Sequence, residues 1–412
     1  MLINPFTPSE IASQPDDFFG RTDELQTLER SLSQGSVVVE GAIGIGKSSL
    51  VARARLLMEG FASEHTAKTI LAVGHKGIRT VDEAARLLVE QFVEVDQQQK
   101  SVTFKLGSLF EHKSEEVCRN YSDGRHLAVL QRLVERETLK AALANTELLI
   151  FTIDEADKCP IPLAALIRAV VTQTQHQGVR TVRFIVSGVS PFFQKMVEED
   201  PGIRRFFYKA ITLEPMPQHE AMDLLGTKLA RVVAQAQKDG IPVRVEPRVV
   251  PRIVALSGGH PHILQLLGSH LIEHENDDPD GTINARDLAN SLRRICYEDR
   301  AQVYDATIHM LEMEDKLEAL SELLASGISG FPTRIDRQTA ISVIGKETAQ
   351  WFVEHNVLTV VDDSYALVDE FLRIRMLFDR YDSHEEQDQL EREILRKVAL
   401  PYYPARAFDE DL

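Results

Sequence analysis

The segment SVVVEGAIGIGKSSLVARARLL, residues 36–57, decides the fold of this chain. It starts with a β-branched run, Val37 to Val39, which is typical of a buried parallel strand, and it ends in an amphipathic helical pattern. Between the two lies GAIGIGKS, residues 41–48, which matches the pattern G-x-x-x-x-G-K-S. Glycines let a backbone wrap closely around phosphate groups, and the amino terminus of the following helix adds its dipole. The segment therefore predicts a phosphate-binding loop between a strand and a helix, the alternative being an ordinary glycine turn.

The side chains of this loop indicate its ligands. Lys47 is expected to neutralise the β- and γ-phosphates of ATP, and the Ser48 hydroxyl is expected to ligate Mg²⁺. The other loop residues expected to contact the nucleotide are Gly41, Ala42, Ile43, Gly44, Ile45, Gly46 and Ser49. ATP and Mg²⁺ are therefore the predicted ligands.

A second segment, LLIFTIDEADK at residues 148–158, supplies the carboxylates that such a site needs. Leu148 to Ile153 is expected to be another buried parallel strand, whose carboxyl end meets the same edge of the sheet as the loop. Asp154 is then placed to hold Mg²⁺ through water, and Glu155 to polarise the attacking water. The alternative is that both carboxylates are a pair at a helix amino terminus, favoured by the helix dipole.

The letters DEAD at Asp154 to Asp157 also occur in a large group of RNA helicases. Those enzymes need a Ser-Ala-Thr segment after this strand and a second, similar domain. Here the next strand is VRFIVSG, residues 182–188, and no second α/β half follows. The four letters are a coincidence.

The composition of the chain limits which classes of protein remain possible. The 412 residues are 43% hydrophobic and 26% charged, which is typical of a globular protein of two or three domains. No signal peptide or membrane-spanning stretch is apparent, and three widely spaced cysteines suit a reducing compartment, so we expect a cytoplasmic protein with no membrane partner. The net charge of −17 works against generic nucleic-acid binding.

Strands are expected at about 36–40, 69–74, 148–153, 182–187 and 210–213, alternating with helices. This order predicts an α/β fold with a doubly wound parallel sheet. The expected segments are an N-terminal strap with an adenine-side helix (1–35), a P-loop ATPase core (36–215), a helical lid (216–305), a winged-helix-like domain (306–381) and a charged helix with a tail (382–412). Residues 96–125 are expected to form an insertion or an extended helical excursion, and the tail PYYPARAFDEDL to be disordered or to dock a partner.

Taken together, these segments resemble the AAA+ class and its relatives, the STAND signalling ATPases. The leader NPFTPSEIASQPDDFFGRTDELQTLERSL is similar to the one found in such ATPases, with an Asn-Pro-Phe strap, a Phe-Gly-Arg element and a Glu-Leu helix. The resemblance implies that Phe19, Gly20 and Arg21 lie beside the adenine. The alternative is that Phe18 and Phe19 are simple core anchors.

Further residues take their roles from the same resemblance. Ser187 lies where these ATPases carry a polar sensor of the γ-phosphate, and Arg204 and Arg205 lie where AAA+ proteins often place an arginine finger for a neighbouring subunit. The alternative is an arginine pair on a solvated helix end. Gly258, Gly259 and Pro261, in SGGHPHILQLLGSHL, match a stretch that opens a lid helix touching the nucleotide.

His262 departs from the family pattern, because many AAA+ members carry a sensor arginine there. Pro261 and His262 are expected to contact the nucleotide. A histidine is mostly neutral near pH 7 and binds phosphate only weakly. The substitution predicts slow hydrolysis.

The winged-helix segment favours protein contact over DNA contact. From Leu311 to Arg380 it carries seven Lys or Arg against thirteen Asp or Glu, and its expected recognition helix is KETAQWFVEHN, with Trp351 and Phe352 as core residues. A DNA reader needs positive charge where it meets phosphate. DNA is therefore the less favoured partner.

These expectations describe an ATP-binding, ATP-hydrolysing switch that transmits its nucleotide state to a partner protein and assembles with its own copies in an ATP-dependent way. Two alternatives stay open. One is a DNA-loading AAA+ ATPase similar to replication-initiator or transposition-regulator ATPases. The other is a nucleotide-binding scaffold without turnover.

Overall fold

The structure is a computed structural model, and it describes residues 1–60, 67–106, 108–143, 148–326, 333–380 and 384–398. The Ser-Gly-Phe-Pro stretch at 329–332 predicts a turn within the winged-helix-like domain, and this stretch and the tail from 399 onward lie outside the described residues. The chain divides into two units. We call Ile11–Glu214 the core unit, and Met1–Glu10 together with Pro215–Leu412 the C-terminal unit.

The core unit contains sixteen helices and strands among the described residues. In chain order they are α1 (Thr22–Gln34), β1 (Ser36–Gly41), α2 (Lys47–Gly60), β2 (Ala67–Val73), α3 (Val81–Phe92), β3 (Val93–Asp96), β4 (Ser101–Leu106), β5 (Ser108–Lys113), α4 (Glu115–Ser122), α5 (His126–Leu133), α6 (Arg136–Leu143), β6 (Leu148–Asp154), α7 (Pro160–His176), β7 (Val182–Val189), α8 (Phe192–Glu199) and β8 (Phe207–Leu213). Two short 3-10 helices, Ala156–Lys158 and Pro201–Phe206, lie before α7 and before β8.

Five of these strands form the central sheet, in the order β2-β6-β7-β1-β8, and every pair is parallel. Strand β1 shows why both faces are covered by helices. Val37 and Val39 pack with residues of α1 and α2, whereas Val38 packs on the other face with residues of α3 and α7. All three valines are fully buried. The predicted doubly wound α/β sheet is confirmed.

The segment between α3 and β6 is an insertion, which is one of the two predicted alternatives. Strands β3, β4 and β5 form an antiparallel sheet, and helices begin only at Glu115. The expectation of a helical excursion is therefore wrong for residues 96–113. Val102 and Phe104 are buried while Thr103 and Lys105 point away, so the stretch has the period of two that indicates a strand.

The C-terminal unit is mainly helical. In chain order it contains α9 (Gln218–Lys238), β9 (Arg244–Val245), α10 (Val249–Ser257), α11 (Pro261–Asp277), β10 (Thr282–Ile283), α12 (Ala285–Arg294), a π-helical turn (Ile295–Asp299), α13 (Ala301–Met313), α14 (Leu317–Ser326), β11 (Ile335–Asp336), α15 (Arg337–Ile344), α16 (Lys346–Glu354), β12 (Leu358–Val361), β13 (Ser364–Leu367), α17 (Glu370–Phe378) and α18 (His384–Lys397).

Elements α14 to β13 follow in the order expected of a winged helix, and their strands form an antiparallel sheet in the order β11-β13-β12. Within α16, Phe352 is fully buried, as expected. Trp351 is only half-buried, so its assignment to the core is wrong. On a helix, residue 351 shares a face with residues 347 and 354, which are exposed, whereas residue 352 shares a face with buried Ala349.

The first residues of the chain pack along α11. The segment of residues 2–8, which we call the N-terminal strap, is held through its backbone and Asn4 by side chains of α9 and α11. The partners are Lys228, His262, Gln265, Ser269 and Asn276. The α11 residues in this set are three to seven positions apart, so they line one face of the helix. The strap therefore covers a complete stripe of α11.

Phe6 anchors the strap. Its ring lies so close to Gly268 on α11 that a Cβ on the glycine would come within 2.3 Å of the ring. On the opposite side, the ammonium of Lys228 donates a hydrogen bond of 2.7 Å to the Pro5 carbonyl and lies 5.6 Å from the centre of the Phe6 ring. Lys228 is fully buried. The strap is therefore part of the hydrophobic core of the C-terminal unit.

Candidate nucleotide-binding site

The phosphate-binding loop connects β1 to α2 at the carboxyl edge of the parallel sheet. Ile45 is buried among core residues of α1 and α2 and so anchors the loop to the core, whereas Ile43 is exposed. Gly46 has a φ of +96°, a left-handed conformation that favours glycine, and a Cβ there would meet open space. The requirement for glycine at this position is therefore one of backbone conformation.

Lys47 lies across the mouth of the loop. Its ammonium donates hydrogen bonds to the carbonyls of Gly41 (3.0 Å) and Ala42 (2.6 Å), and the side chain is nearly buried. Burial lowers the pKa of Lys47 to about 8, an effect that Asp154 and Asp157 partly oppose. The ammonium can exchange these neutral carbonyls for the anionic oxygens of a phosphate, which attract it more strongly because both partners are then charged.

Asp154 joins three elements at the end of β6. The Ser48 hydroxyl, at the start of α2, donates 2.6 Å to its Oδ2, and the Ser187 hydroxyl, on β7, donates 2.8 Å to its Oδ1. The two residues predicted to hold Mg²⁺ are therefore brought together, with the oxygen ligands that this ion prefers. Ser187 is fully buried, and its hydroxyl is bound to Asp154. Its role as a γ-phosphate sensor stays a prediction.

Glu155 lies just beyond the strand and is exposed. Its backbone has a φ of +51°, and its amide donates 2.9 Å to Asp154 Oδ1. A residue other than glycine in this conformation costs of order 1 kcal/mol, and such residues cluster at functional sites. The turn places exposed Glu155 directly after β6, at the edge of the sheet where the loop lies.

Arg21 has contacts that the sequence did not indicate. Its guanidinium is nearly buried and donates to the carbonyls of Ile45 (3.3 Å), in the loop, and Glu214 (2.5 Å), after β8, while it pairs with Glu24 at 2.9 Å. Arg21 therefore connects the phosphate-binding loop to the end of an edge strand. The adenine contacts predicted for Phe19, Gly20 and Arg21 stay predictions.

Sequence reasoning missed two carboxylates near the site. Glu40, which precedes the loop, accepts a hydrogen bond of 2.8 Å from the amide of Phe193 on α8, and burial raises its pKa. Asp157 accepts 3.0 Å from the amide of Val189 and pairs with Lys158 at 3.0 Å. The available signal for Glu40 was an acidic residue at the end of an apolar strand.

One loop residue has a different partner. The Ser49 hydroxyl accepts a hydrogen bond of 3.1 Å from the amide of Ala12. Its predicted contact with nucleotide stays a prediction.

The arginine pair is not part of the site within one chain. Arg204 and Arg205 are exposed on the 3-10 helix before β8, and β8 begins at Phe207, beside Ser36 at the start of β1. This position is the amino edge of the parallel sheet, opposite the phosphate-binding loop. The pair is therefore placed on the other side of its own core unit.

Pro261 and His262 begin α11 in the C-terminal unit. The His262 Nδ1 lies 3.0 Å from the Pro8 carbonyl, and because a carbonyl only accepts, Nδ1 carries the proton. Burial lowers the pKa of His262, and the charge of Arg300 lowers it further. The imidazole is therefore neutral near pH 7. Its contact with nucleotide, and that of Pro261, stay predictions.

Three features together define a P-loop NTPase of the AAA+/STAND type. They are the parallel sheet in the order β2-β6-β7-β1-β8, the phosphate-binding loop with Lys47 and the acidic end of β6. Residues 5–292, more than half of the chain, match the family model described as Novel STAND NTPase 1. The chain belongs to this family.

Solved structures share this fold at low sequence identity. The Walker-type ATPase of Pyrococcus abyssi is 15% identical, with a TM-score of 0.53, over 90% of this chain and 99% of that one. The ORC2 protein of Aeropyrum pernix, in ADPNP and ADP complexes, is 13% identical, with a TM-score of 0.55, over 95% of this chain and 97% of that one. Cdc6p from Pyrobaculum aerophilum is 14% identical, with a TM-score of 0.50, over 95% of this chain and 98% of that one.

A search of curated protein sequences found no significant match. Across the described ranges, no helix combines the length and the apolar character that crossing a bilayer requires.

Proposed function

We propose that this NTPase binds and hydrolyses ATP and transmits its nucleotide state to a partner protein. The observation that carries the proposal is the meeting of Lys47, Ser48, Asp154 and Ser187 beside the exposed carboxylate of Glu155. Three elements, α2, β6 and β7, and the turn after β6 supply these side chains, at the edge of the sheet where ligands of α/β proteins bind.

Each residue has a distinct proposed role. Lys47 exchanges its two loop carbonyls for phosphate oxygens, and the loop amides hold the β-phosphate. Ser48 and Asp154 fit a Mg²⁺ ion, which supplies positive charge against the phosphates when bound. Glu155 accepts a proton from the attacking water or orients it. Ser187 holds Asp154 in position through its buried hydroxyl.

The C-terminal unit is the part of the chain that we expect to contact the partner protein. We assign residues 216–305 as a lid and residues 306–381 as a winged-helix domain that contacts a protein. A neutral His262 in place of a sensor arginine supports slow turnover, because an uncharged imidazole stabilises phosphate charge less than a guanidinium does. Slow turnover suits a switch, since the ATP-bound state then persists.

Mg²⁺-dependent phosphate release by the purified full-length protein, with and without duplex DNA, tests this function. We expect slow turnover that DNA leaves unchanged. Turnover that rises with DNA would favour the DNA-loading alternative. Tight ATP binding with no phosphate release in single-turnover conditions would favour the scaffold alternative.

The position of Arg204 and Arg205 yields a prediction about assembly. Since both lie at the opposite edge of the sheet from their own loop, they act on a phosphate only in a neighbouring copy. An Arg204→Ala/Arg205→Ala variant should lose at least about tenfold of its turnover, because a guanidinium supplied across an interface stabilises charge on the γ-phosphate. Specific activity of the unmodified protein should rise with protein concentration.

Mixing provides the control for this prediction. The double variant combined with a Glu155→Gln protein should regain turnover, since a mixed interface pairs an intact arginine with an intact carboxylate. Three results together would reject action in trans. Turnover would not depend on protein concentration, mixing would restore no activity, and sedimentation would show a monomer with and without a non-hydrolysable ATP analogue.

A further inference from the structure

One face of α16 carries side chains that stay exposed or half-buried among the described residues. Residues 347, 350, 351 and 354 follow the spacing of neighbours on one helix face. Three of them are exposed (Glu347, Gln350 and Glu354), and Trp351 is half-buried between them. We call these four residues the α16 face. The opposite side of the helix, with Ala349 and Phe352, is fully buried.

Trp351 is held rigidly on this face. Its indole ring stacks on the imidazole of His355, with ring centres 3.9 Å apart and an angle of 16° between the planes. The His355 Nδ1 lies 2.8 Å from the Trp351 carbonyl, which fixes the imidazole, and Phe352 contacts the indole edge-on at 5.7 Å. A large side chain that is already ordered loses little conformational entropy when a partner binds it. Trp351 therefore has the properties of an interface anchor.

The charge on this face is negative. Glu347 and Glu354 lie about one helical turn before and after Trp351, at roughly 6 Å and 4.5 Å along the axis. Gln350 donates 2.8 Å to Glu354 Oε1 and so orients that carboxylate. These carboxylates repel the phosphates of nucleic acids.

We propose that the α16 face is a docking surface for a partner protein that presents arginine side chains. Arginine matches both features of the face. Its guanidinium can stack through a cation–π interaction on the indole face opposite the one that the His355 imidazole covers, and it forms paired hydrogen bonds with a carboxylate. A lysine ammonium lacks the planar, two-pronged geometry. This inference rests on the proposed switch function, because it names the chemistry of the partner that receives the nucleotide state.

Trp351 is the only tryptophan of the chain, so its fluorescence reports on this face alone. The full-length protein is titrated at low salt with two synthetic peptides of equal length and charge, one containing arginines and the other lysines, and with duplex DNA. We expect the arginine peptide to change the Trp351 emission and to bind at least about threefold more tightly than the lysine peptide. The DNA duplex should leave the emission unchanged.

Substitutions then locate the binding on the α16 face. By anisotropy of a labelled arginine peptide, Trp351→Ala should weaken binding about two- to fivefold, and Glu347→Gln/Glu354→Gln about three- to tenfold. Trp351→Phe should retain most of the affinity, because it keeps an aromatic ring. Glu314→Gln/Glu318→Gln, which removes two exposed carboxylates elsewhere in the same unit, should have no effect.

Several outcomes overturn the proposal. Equal binding of the two peptides, or equal losses in the two double variants, would show only a general attraction to an acidic protein. A Trp351 emission change caused by DNA would assign the face to nucleic acid, and one that follows self-association in sedimentation would assign it to a second copy. Since the peptide titration needs no nucleotide, a failure to bind ATP would reject the switch function and leave this result standing.

Discussion

The Lys47→Ala variant should lose ATP affinity by about 100-fold or more while it keeps its fold. Removing one partner of a buried, hydrogen-bonded charge pair costs about 2–5 kcal/mol, and every 1.4 kcal/mol is about tenfold in affinity. In the free protein, the ammonium is bound to two neutral carbonyls of its own loop, so its loss breaks no buried ion pair. Isothermal titration with ATP, together with a thermal melt, measures both effects.

Lys195→Ala serves as the matched control, because Lys195 is exposed on α8 of the same unit. It should bind ATP as the unmodified protein does. An unchanged ATP affinity in Lys47→Ala would reject the phosphate-binding loop.

The same lysine gives ATP binding a pH dependence. Burial lowers the pKa of Lys47 to about 8, so the free protein loses this charge as the pH rises through that value. Bound phosphate favours the protonated form, and ATP affinity should therefore fall between about pH 7 and pH 9. Lys47→Arg, whose guanidinium stays protonated in this range, should lack this fall.

The second large effect is expected at Glu155. Glu155→Gln should bind ATP with unchanged affinity and release phosphate about 10²- to 10⁴-fold more slowly, because the amide keeps the shape of the side chain and cannot accept the proton. Since Glu155 is exposed and only its backbone amide contacts Asp154, the change should leave the Ser48–Asp154–Ser187 arrangement intact. Single-turnover phosphate release with saturating ATP separates chemistry from binding.

Glu199→Gln, at an exposed position at the end of α8, provides the matched control and should keep full turnover. Near-normal turnover in Glu155→Gln would show that another group activates the water.

The sequence predicted the parts of this fold that depend on local pattern. Runs such as Val37 to Val39 and Leu148 to Ile153 indicated the central strands, because a strand buried on both faces is continuously apolar. The period of two in VTFKL was equally visible and indicates β4, yet the prediction for residues 96–125 left an insertion and a helical excursion open. The helical alternative is wrong for the strands, because it did not use this period.

The contacts that complete the candidate site were not predictable from local pattern. Ser187 reaches Asp154 because β7 lies beside β6 in the sheet, and strand order is a property of the whole fold. The bonds of the Arg21 guanidinium to Ile45 and Glu214 join residues up to 193 positions apart. Motifs therefore indicated candidate site residues, and the structure showed which of them contact one another.

The N-terminal strap has a consequence for how the chain folds during synthesis. Residues 2–8 leave the ribosome well before their partner helix α11, which ends at Asp277. At about 5–20 residues per second, roughly 15–50 s separate the two events. Ile11–Glu214 is complete before then and forms one continuous segment, so we expect the core unit to fold before the C-terminal unit. The Phe6 side chain lacks its α11 partner throughout that interval, so the core of the C-terminal unit is completed only after α11 has been made.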